Sequence, residues 1–415
     1  MKQFGLTLFT LFLIIPIFAQ ENSSNLQFKF RGFVRGDFFY DSRQHVASSE
    51  GLLFLYPKDR EEDALGEDLN ALASSGFYYL STRPAVEVTG LKAFDAAVSA
   101  YMEGDFAGFG GAYGSSTILR LRLAYMKMDW KKSSLLMGQA WHPFFLTIIP
   151  EQLSLSTGAP FQPFARSPQA RFDYKMDKFT LSAAGVYQFQ FTSNGPNGKS
   201  SVYQKNALLP ELVAVVDYKN QSITTGLGLN FLTLKPRSQS LIDDKIYKVD
   251  ENFSSLSYMA YLKYTENLFS LGVKTTYGQN NVNMLMLGGY GVKSIDPKNG
   301  KQEYTNFNYS TTWANVSYGK KYKANFFAGY SKNLGSEDSL VENSPLYGEG
   351  LAVDNLSRIV STFSYNIPHF SLGAEYEFSK ANYGDTGTFN WEKGTYSSTH
   401  AVYSHRIVGV IRYLF

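Results

Sequence analysis

The chain has no cysteine in its 415 residues. It can hold no disulfide and cannot be anchored as a lipid-modified lipoprotein, which fits an exported bacterial protein without proving one. Beyond the N-terminus it has no apolar run near the roughly 20 residues that a spanning helix needs, so a helical membrane protein is excluded. Charge of one sign is lacking too. Lys and Arg number 39 against 36 Asp and Glu, a net charge of +3, which argues against nucleic acid as a partner. Histidine is scarce. His45, His142, His369, His400 and His405 show no metal-ligand spacing, and the last two fall on opposite faces of one strand. No Ser or Asp motif sits with a positioned His, so neither an enzyme, nor a cofactor, nor a metal site is expected. "GFGGAYG" at 108–114 is Gly-rich, but no helix follows to cradle a phosphate, and a turn is expected there.

The N-terminus reads as a secretory signal. "MKQFGLTLFTLFLIIPIFAQE" opens with one Lys, runs apolar from Phe4 to Phe18 and reaches a small residue at Ala19. Cleavage is expected after residue 19, leaving 20–415 as the mature chain. Aromatic residues are abundant at 16%, with 33 Phe and 29 Tyr, which suits strands and the aromatic girdles of an outer-membrane barrel.

Almost everything after Leu26 has period two. In "LQFKFRGFVRGDFFY", Leu26, Phe28, Phe30, Gly32, Val34, Gly36 and Phe38 share one side, and Lys29, Arg31, Arg35 and Asp37 the other. The segments at 322–331 and 370–379 alternate in the same way, with apolar residues at i+2 rather than i+3 and i+4. Very short connections at 91–94, 130–133, 176–178, 219–221, 265–267, 319–322 and 366–369 alternate with longer, polar or Gly-rich ones. The longer ones fall at 41–75, 107–115, 142–167, 193–206, 235–252, 280–304, 335–353 and 384–397. Short–long alternation marks an all-β, transmembrane up-and-down antiparallel β-barrel of about sixteen strands, with tight periplasmic turns and long outer loops. A possible strand at 282–292 is placed inside the sixth outer loop, because counting it alone would break the parity. The final strand, "RIVGVIRYLF", alternates to the last residue, and its Tyr413 and Phe415 resemble the signal by which the barrel-assembly machinery recognises such proteins.

Polar faces of a membrane barrel point inward. Alternation puts Lys29, Arg31, Arg35, Arg83, Arg120, Arg122, Arg171, Arg358, Arg406 and Arg412 into the lumen, with Asp37, Glu87, Glu103, Asp105, Asp173, Glu375 and Glu377. Leu119, Leu121 and Leu123 are expected to point outward. The basic set lies mostly in the early strands, and rings of Arg or Lys favour anions. The third outer loop, "HPFFLTIIPEQLSLSTGAPFQPFARS" at 142–167, is apolar and carries four Pro. Such a loop is expected to be buried, and the wide lumen is the place for it. It is therefore expected to form the constriction, with Arg166 as a candidate eyelet residue. "KDREEDALGEDLN" at 58–70 places Leu65, Leu69 and Leu72 at near-helical spacing and is expected to form a solvated outer-loop helix; its acids could bridge through divalent cations to lipopolysaccharide, or the segment could latch over a neighbouring subunit.

Four segments in this order resemble the DcaP-like porins: "GFVRGDFFYDSR" at 32–43, "YMEGDF" at 101–106, "LRLRLAY" at 119–125 and "GQAWHPF" at 138–144. The resemblance covers mainly the first 175 residues. It implies a sixteen-stranded homotrimer passing small anionic solutes such as dicarboxylates, with Glu103, Asp105, Arg120, Arg122, Gln139 and Trp141 on the solute path. Family members carry a coiled coil before the barrel; here only Gln20 to Asn25 separate the expected cleavage point from the first strand, so that extension is not expected. Small outward residues on the early strands, Gly32, Gly36, Ala96, Val98, Ala100 and Gly104, make that face the expected protein–protein seam, against the bulky Phe326, Tyr330, Tyr376 and Phe378 of later strands. The function expected is passive diffusion. The alternative is a structural or adhesive outer-membrane barrel with an occluded lumen.

Overall fold

The structure is a computed structural model and describes residues 26–109 and 117–415. The expected signal peptide at 1–19 and all but the first two residues of the Gly-rich stretch at 108–114 lie outside the described residues. Sixteen antiparallel strands close into a barrel. In chain order they are β1 (Gln27–Asp41), β2 (Arg83–Ala93), β3 (Ala96–Phe109), β4 (Thr117–Asp129), β5 (Ser133–Trp141), β6 (Arg166–Met176), β7 (Phe179–Val186) and β8 (Glu211–Lys219), followed by β9 (Ile223–Leu234), β10 (Phe253–Glu266), β11 (Phe269–Gln279), β12 (Gln302–Gly319), β13 (Tyr322–Ser336), β14 (Val353–Ile367), β15 (Phe370–Gly384) and β16 (Thr399–Leu414). Closure leaves no strand edge, the condition for a sheet to stand in hydrocarbon.

The ends meet residue to residue. β1 pairs with β16 from Phe33↔Leu414 to Asp41↔Arg406. Gly32 and Phe415 exchange both backbone hydrogen bonds at 3.0 Å. A Cβ on Gly32 would stand 2.8 Å from Cζ of Phe415, so the terminal ring fills the space that the glycine leaves on the outer face. Seven connections are two or three residues long and fall at the expected turns. The sixth loop does contain a strand, Gly288–Ile295. It pairs with the top of β12 and with Leu346–Glu349 of the seventh loop, above the barrel wall, so the count of sixteen stands.

Three expectations fail locally. Strict alternation through "LRLRLAY" breaks at a bulge, where the register shifts between Glu103 and Gly104 of β3, which face Leu123 and Leu121 of β4. The extra residue turns the next side chain round. Leu123 therefore lies opposite Glu103 on the lumen side and is buried at 6% exposure. The acidic segment at 58–70 forms no helix. The Asp63 carboxylate accepts from the Leu65 and Glu67 amides, and Gly66 takes a positive φ of 84°. Such side chain–backbone bonds compete directly with helical ones. On β3, Ala96 is fully covered rather than presented on the outer face.

The lumen is not an empty tube. Leu53, Leu55 and Tyr56 of the first loop, Phe144, Phe145, Phe161 and Phe164 of the third, and Met284 to Leu287 of the sixth form one buried cluster with inner-wall residues such as Trp313 and Phe327. Protein packing inside the barrel thus substitutes for a water-filled bore along much of the β8–β14 wall.

Candidate functional site

The third loop leaves β5 at His142 and returns to β6 at Arg166, and between them it crosses the lumen. Its apolar residues choose the route. Phe144 lies over Gly228 of β9, Phe161 over Gly329 of β13, and Leu153 against Gly373 of β15, each at a glycine whose missing side chain admits the contact. Polar groups of the far wall then fix the backbone. Lys274 Nζ donates to the carbonyl of Phe144 at 2.5 Å and to Thr147 Oγ1 at 3.1 Å. Trp313 Nε1 donates to Gln162 at 3.0 Å. Asn315 accepts from the Glu151 amide at 2.7 Å, and Glu375 from the amides of Leu153 at 2.6 Å and Ser154 at 2.9 Å. Arg358 donates to the carbonyl of Ala159 at 2.9 Å. Buried polar groups need such partners, so the loop and the wall satisfy each other.

This crossing divides the inward charges. Arg358, Arg406, Glu375 and Glu377 are all 2% exposed or less. Arg406 pairs with Asp41 at 2.8 Å and donates to the Gly51 carbonyl of the first loop. They face the lumen, as alternation requires, but beneath protein rather than solvent.

An open chamber of about 350 Å³ remains between the third loop and the wall of β1 to β4. Arg35, Arg83, Asp105, Arg120, Arg122 and Arg412 line it from the wall side, and Gln152, Phe164 and Arg166 from the loop side. Trp141 forms part of its lining. Arg120 binds Asp105 through two bonds, at 2.9 and 2.8 Å. The bulge lets Arg122 reach both Glu103 and Asp105 at 2.8 Å. Arg83 stands 3.5 Å from Glu103. Arg35 donates to Asp37 at 2.8 Å and to the carbonyl of Leu153, tying the wall to the loop.

Two guanidiniums differ from these. Arg166 is 1% exposed and donates to Gln190 at 2.7 Å, with its cation 4.9 Å above Trp141 and 5.6 Å from the Phe164 ring. Arg412 donates to Ser371 at 3.2 Å. Among the described residues neither has a carboxylate within ion-pair distance, and one Arg166 nitrogen has no partner at all. The chamber therefore holds more guanidinium than carboxylate, and part of that surplus is desolvated. A buried cation without a counter-charge is costly unless an anion or water reaches it.

The other sequence candidates lie elsewhere. Gln139 is buried and donates to the carbonyls of Leu121 at 3.2 Å and Arg122 at 2.8 Å, so it holds the bulge rather than the solute path. Glu103 is likewise buried behind Arg122. Arg171 pairs with Asp173 at 3.3 Å beside a separate recess under the loop's first turn. Arg31 is half exposed at the end of the barrel that carries the short turns and pairs with Glu87. Arg412 was legible from alternation, but its lack of a carboxylate was not. Phe33 and Phe191, which complete the aromatic lining, gave no signal in the sequence.

No family model and no curated protein matches the sequence. Solved structures do match in fold. The outer-membrane channel DcaP of Acinetobacter baumannii superposes with a TM-score of 0.66 at 16% identity, over 95% of this chain and 98% of that one. An anion-selective porin from Comamonas acidovorans gives 0.53 at 11% identity, over 94% and 100%. The trimer form of OmpT, an outer-membrane protein of Vibrio cholerae, gives 0.54 at 12% identity, over 94% and 100%. The resemblance to DcaP-like porins read from the first 175 residues thus extends, as fold, along the whole barrel.

Proposed function

We propose that this chain is an outer-membrane porin through which small hydrophilic solutes diffuse passively, with a bias toward anions such as dicarboxylates. The porin part rests on the sixteen-stranded closed barrel and its porin neighbours in fold. The anion bias rests on one observation: Arg166 and Arg412 face the chamber with no carboxylate partner. The third loop is the constriction, and the eyelet lies between it and Arg35, Arg83, Arg120 and Arg122. No step in this reading needs a catalytic residue, a cofactor or an energy source. Export by a signal peptide cleaved after residue 19, and assembly through the barrel machinery reading Tyr413 and Phe415, belong to the same proposal. So do contact with lipopolysaccharide and a homotrimer seated on the early strands. The trimer draws support from Ala100 and Gly104 on the outer face, and from a neighbour in fold that forms trimers.

The test is reconstitution in a planar bilayer, with conductance and reversal potential read across a KCl gradient. Open steps in groups of three with chloride favoured are expected. A second reading is favoured by the apolar cluster that fills much of the lumen: a structural or adhesive barrel sealed by its own loops. Heat-modifiable, folded protein without conductance would establish that reading instead.

A further inference from the structure

The turns that join β4 to β9 carry an uneven charge. Lys131 and Lys132 stand in the first, Lys175 and Lys178 at the second, and Lys219 at the third, and all five are exposed. Hydrogen bonds set these turns side by side: Lys175 N donates to the Lys132 carbonyl at 2.7 Å, and Lys219 N to the Lys178 carbonyl at 2.8 Å. Asp177 is the one exposed acid among these turn residues, since Asp129 pairs with Lys127 at 2.6 Å. Just above the row, Tyr174, Met176 and Phe179 point outward at 38–47% exposure.

Over the same strands the outer face is hollowed. A groove of about 550 Å³ runs across β5 to β9, floored by Ala170, Ala183 and Ala214 and walled by Phe172, Leu212 and Leu229. Ala183 lies five residues up β7 from Lys178. At a rise of about 3.3 Å per residue along a strand tilted by about 40°, that is roughly 13 Å of depth. That lies within one leaflet of a hydrocarbon core about 30 Å thick. The face is also distinct from the early strands proposed as the subunit seam.

We propose that this face binds an anionic glycerophospholipid of the inner leaflet, its phosphate among Lys131, Lys132 and Lys178 and one acyl chain in the groove. The inference rests on the outer-membrane reading, which sets the short turns on the periplasmic side. Charge complementarity selects the headgroup. Each Lys near a membrane surface attracts anionic lipid by about 1 kcal/mol, roughly fivefold. The aromatic belt at headgroup level and the groove at chain depth select a lipid over a soluble polyanion, which would meet the turns alone.

The experiment is native mass spectrometry of the full-length mature protein, extracted from mixed vesicles of phosphatidylglycerol and phosphatidylethanolamine. Wild type should retain phosphatidylglycerol preferentially. The triple K131Q/K132Q/K178Q variant should lose that preference by at least about tenfold, given the per-residue effect. The variant Ala183→Leu, which fills the groove, should also release the lipid. All four substitutions lie on exposed surface, and heat-modifiable migration on a gel confirms folding. Equal retention of both lipids by wild type overturns the proposal. So does a loss confined to the lysine variant, which would assign the row to a soluble acidic partner such as a cell-wall polymer. Bilayer conductance measured on the same samples tests the porin reading separately, since lipid retention does not require an open pore.

Discussion

Replacing the two unpaired guanidiniums should weaken anion selectivity while leaving the barrel intact. In the double variant Arg166→Gln/Arg412→Gln, the chamber region keeps Arg35, Arg83, Arg120 and Arg122 against Asp37, Glu103 and Asp105. Its formal surplus falls from three positive charges to one. For an ion about 5 Å from a guanidinium, one unit charge contributes roughly 0.8 kcal/mol in a water-filled path and about 3 kcal/mol where the walls are semi-buried. The open chamber calls for the lower figure, or about fourfold in anion occupancy per charge. Two charges give roughly fifteenfold, with the opposite effect on cations. The assay is reversal potential in a planar bilayer at low ionic strength. Raising the salt to about 1 M, where the Debye length is about 3 Å, should erase the difference between variant and wild type. The comparison variant is Arg120→Gln. Asp105 would still be paired with Arg122, so the surplus drops by one and the expected change is about fourfold. A reversal potential unchanged in the double variant, with conductance retained, would refute the assignment of selectivity to unpaired charge.

Phe161→Ala should cost about 3–5 kcal/mol, because a ring that is 1% exposed is removed from between the loop and β13. Thermal unfolding should show the loss, and single-channel records should become noisier as the loop loosens. Arg31→Gln should change neither stability nor selectivity measurably, since its pair with Glu87 is exposed and worth at most about 1 kcal/mol. His400 stands high on β16, beyond the roughly 9–11 residues that a strand needs to cross the bilayer. Its ring nitrogens lie 2.7 Å from Asp385 and from Asp59, joining the eighth loop to the first, with Tyr383 stacked beside it. Burial opposes the charged ring, but the bonds and charges of Asp385 and Asp59 outweigh it and raise its pKa above 6.5. The tie is therefore complete below pH about 6.5 and is lost as pH rises through the raised pKa. Protection factors near Asp59, taken after correcting for the intrinsic base-catalysed rise in exchange, should fall over that pH range in wild type and stay constant in His400→Gln; a constant protection factor in wild type would refute the tie.

The sequence by itself determined the barrel. Period-two alternation is a property of a single strand, and a connection's length depends only on its own residues. Both could be read without knowing any partner, and they gave the strand count, the turns and, away from the bulge in β4, which side chains face inward. The last strand could be read in the same way. What it pairs with, Gly32 and the residues that follow, required the closed structure. The bulge at Arg122 escaped because one extra residue is invisible to alternation until two strands are set against each other.

The tertiary structure alone decided which inward charges stay open to the chamber. Arg358 and Arg412 look alike in sequence. One is buried under Ala159 of the third loop, and the other lines the open chamber. The difference comes from a loop nearly two hundred residues away, whose aromatic rings settle over Gly228, Gly329 and Gly373. Facing the lumen is a local property of the strand; being covered there depends on packing between distant segments, which no local pattern encodes.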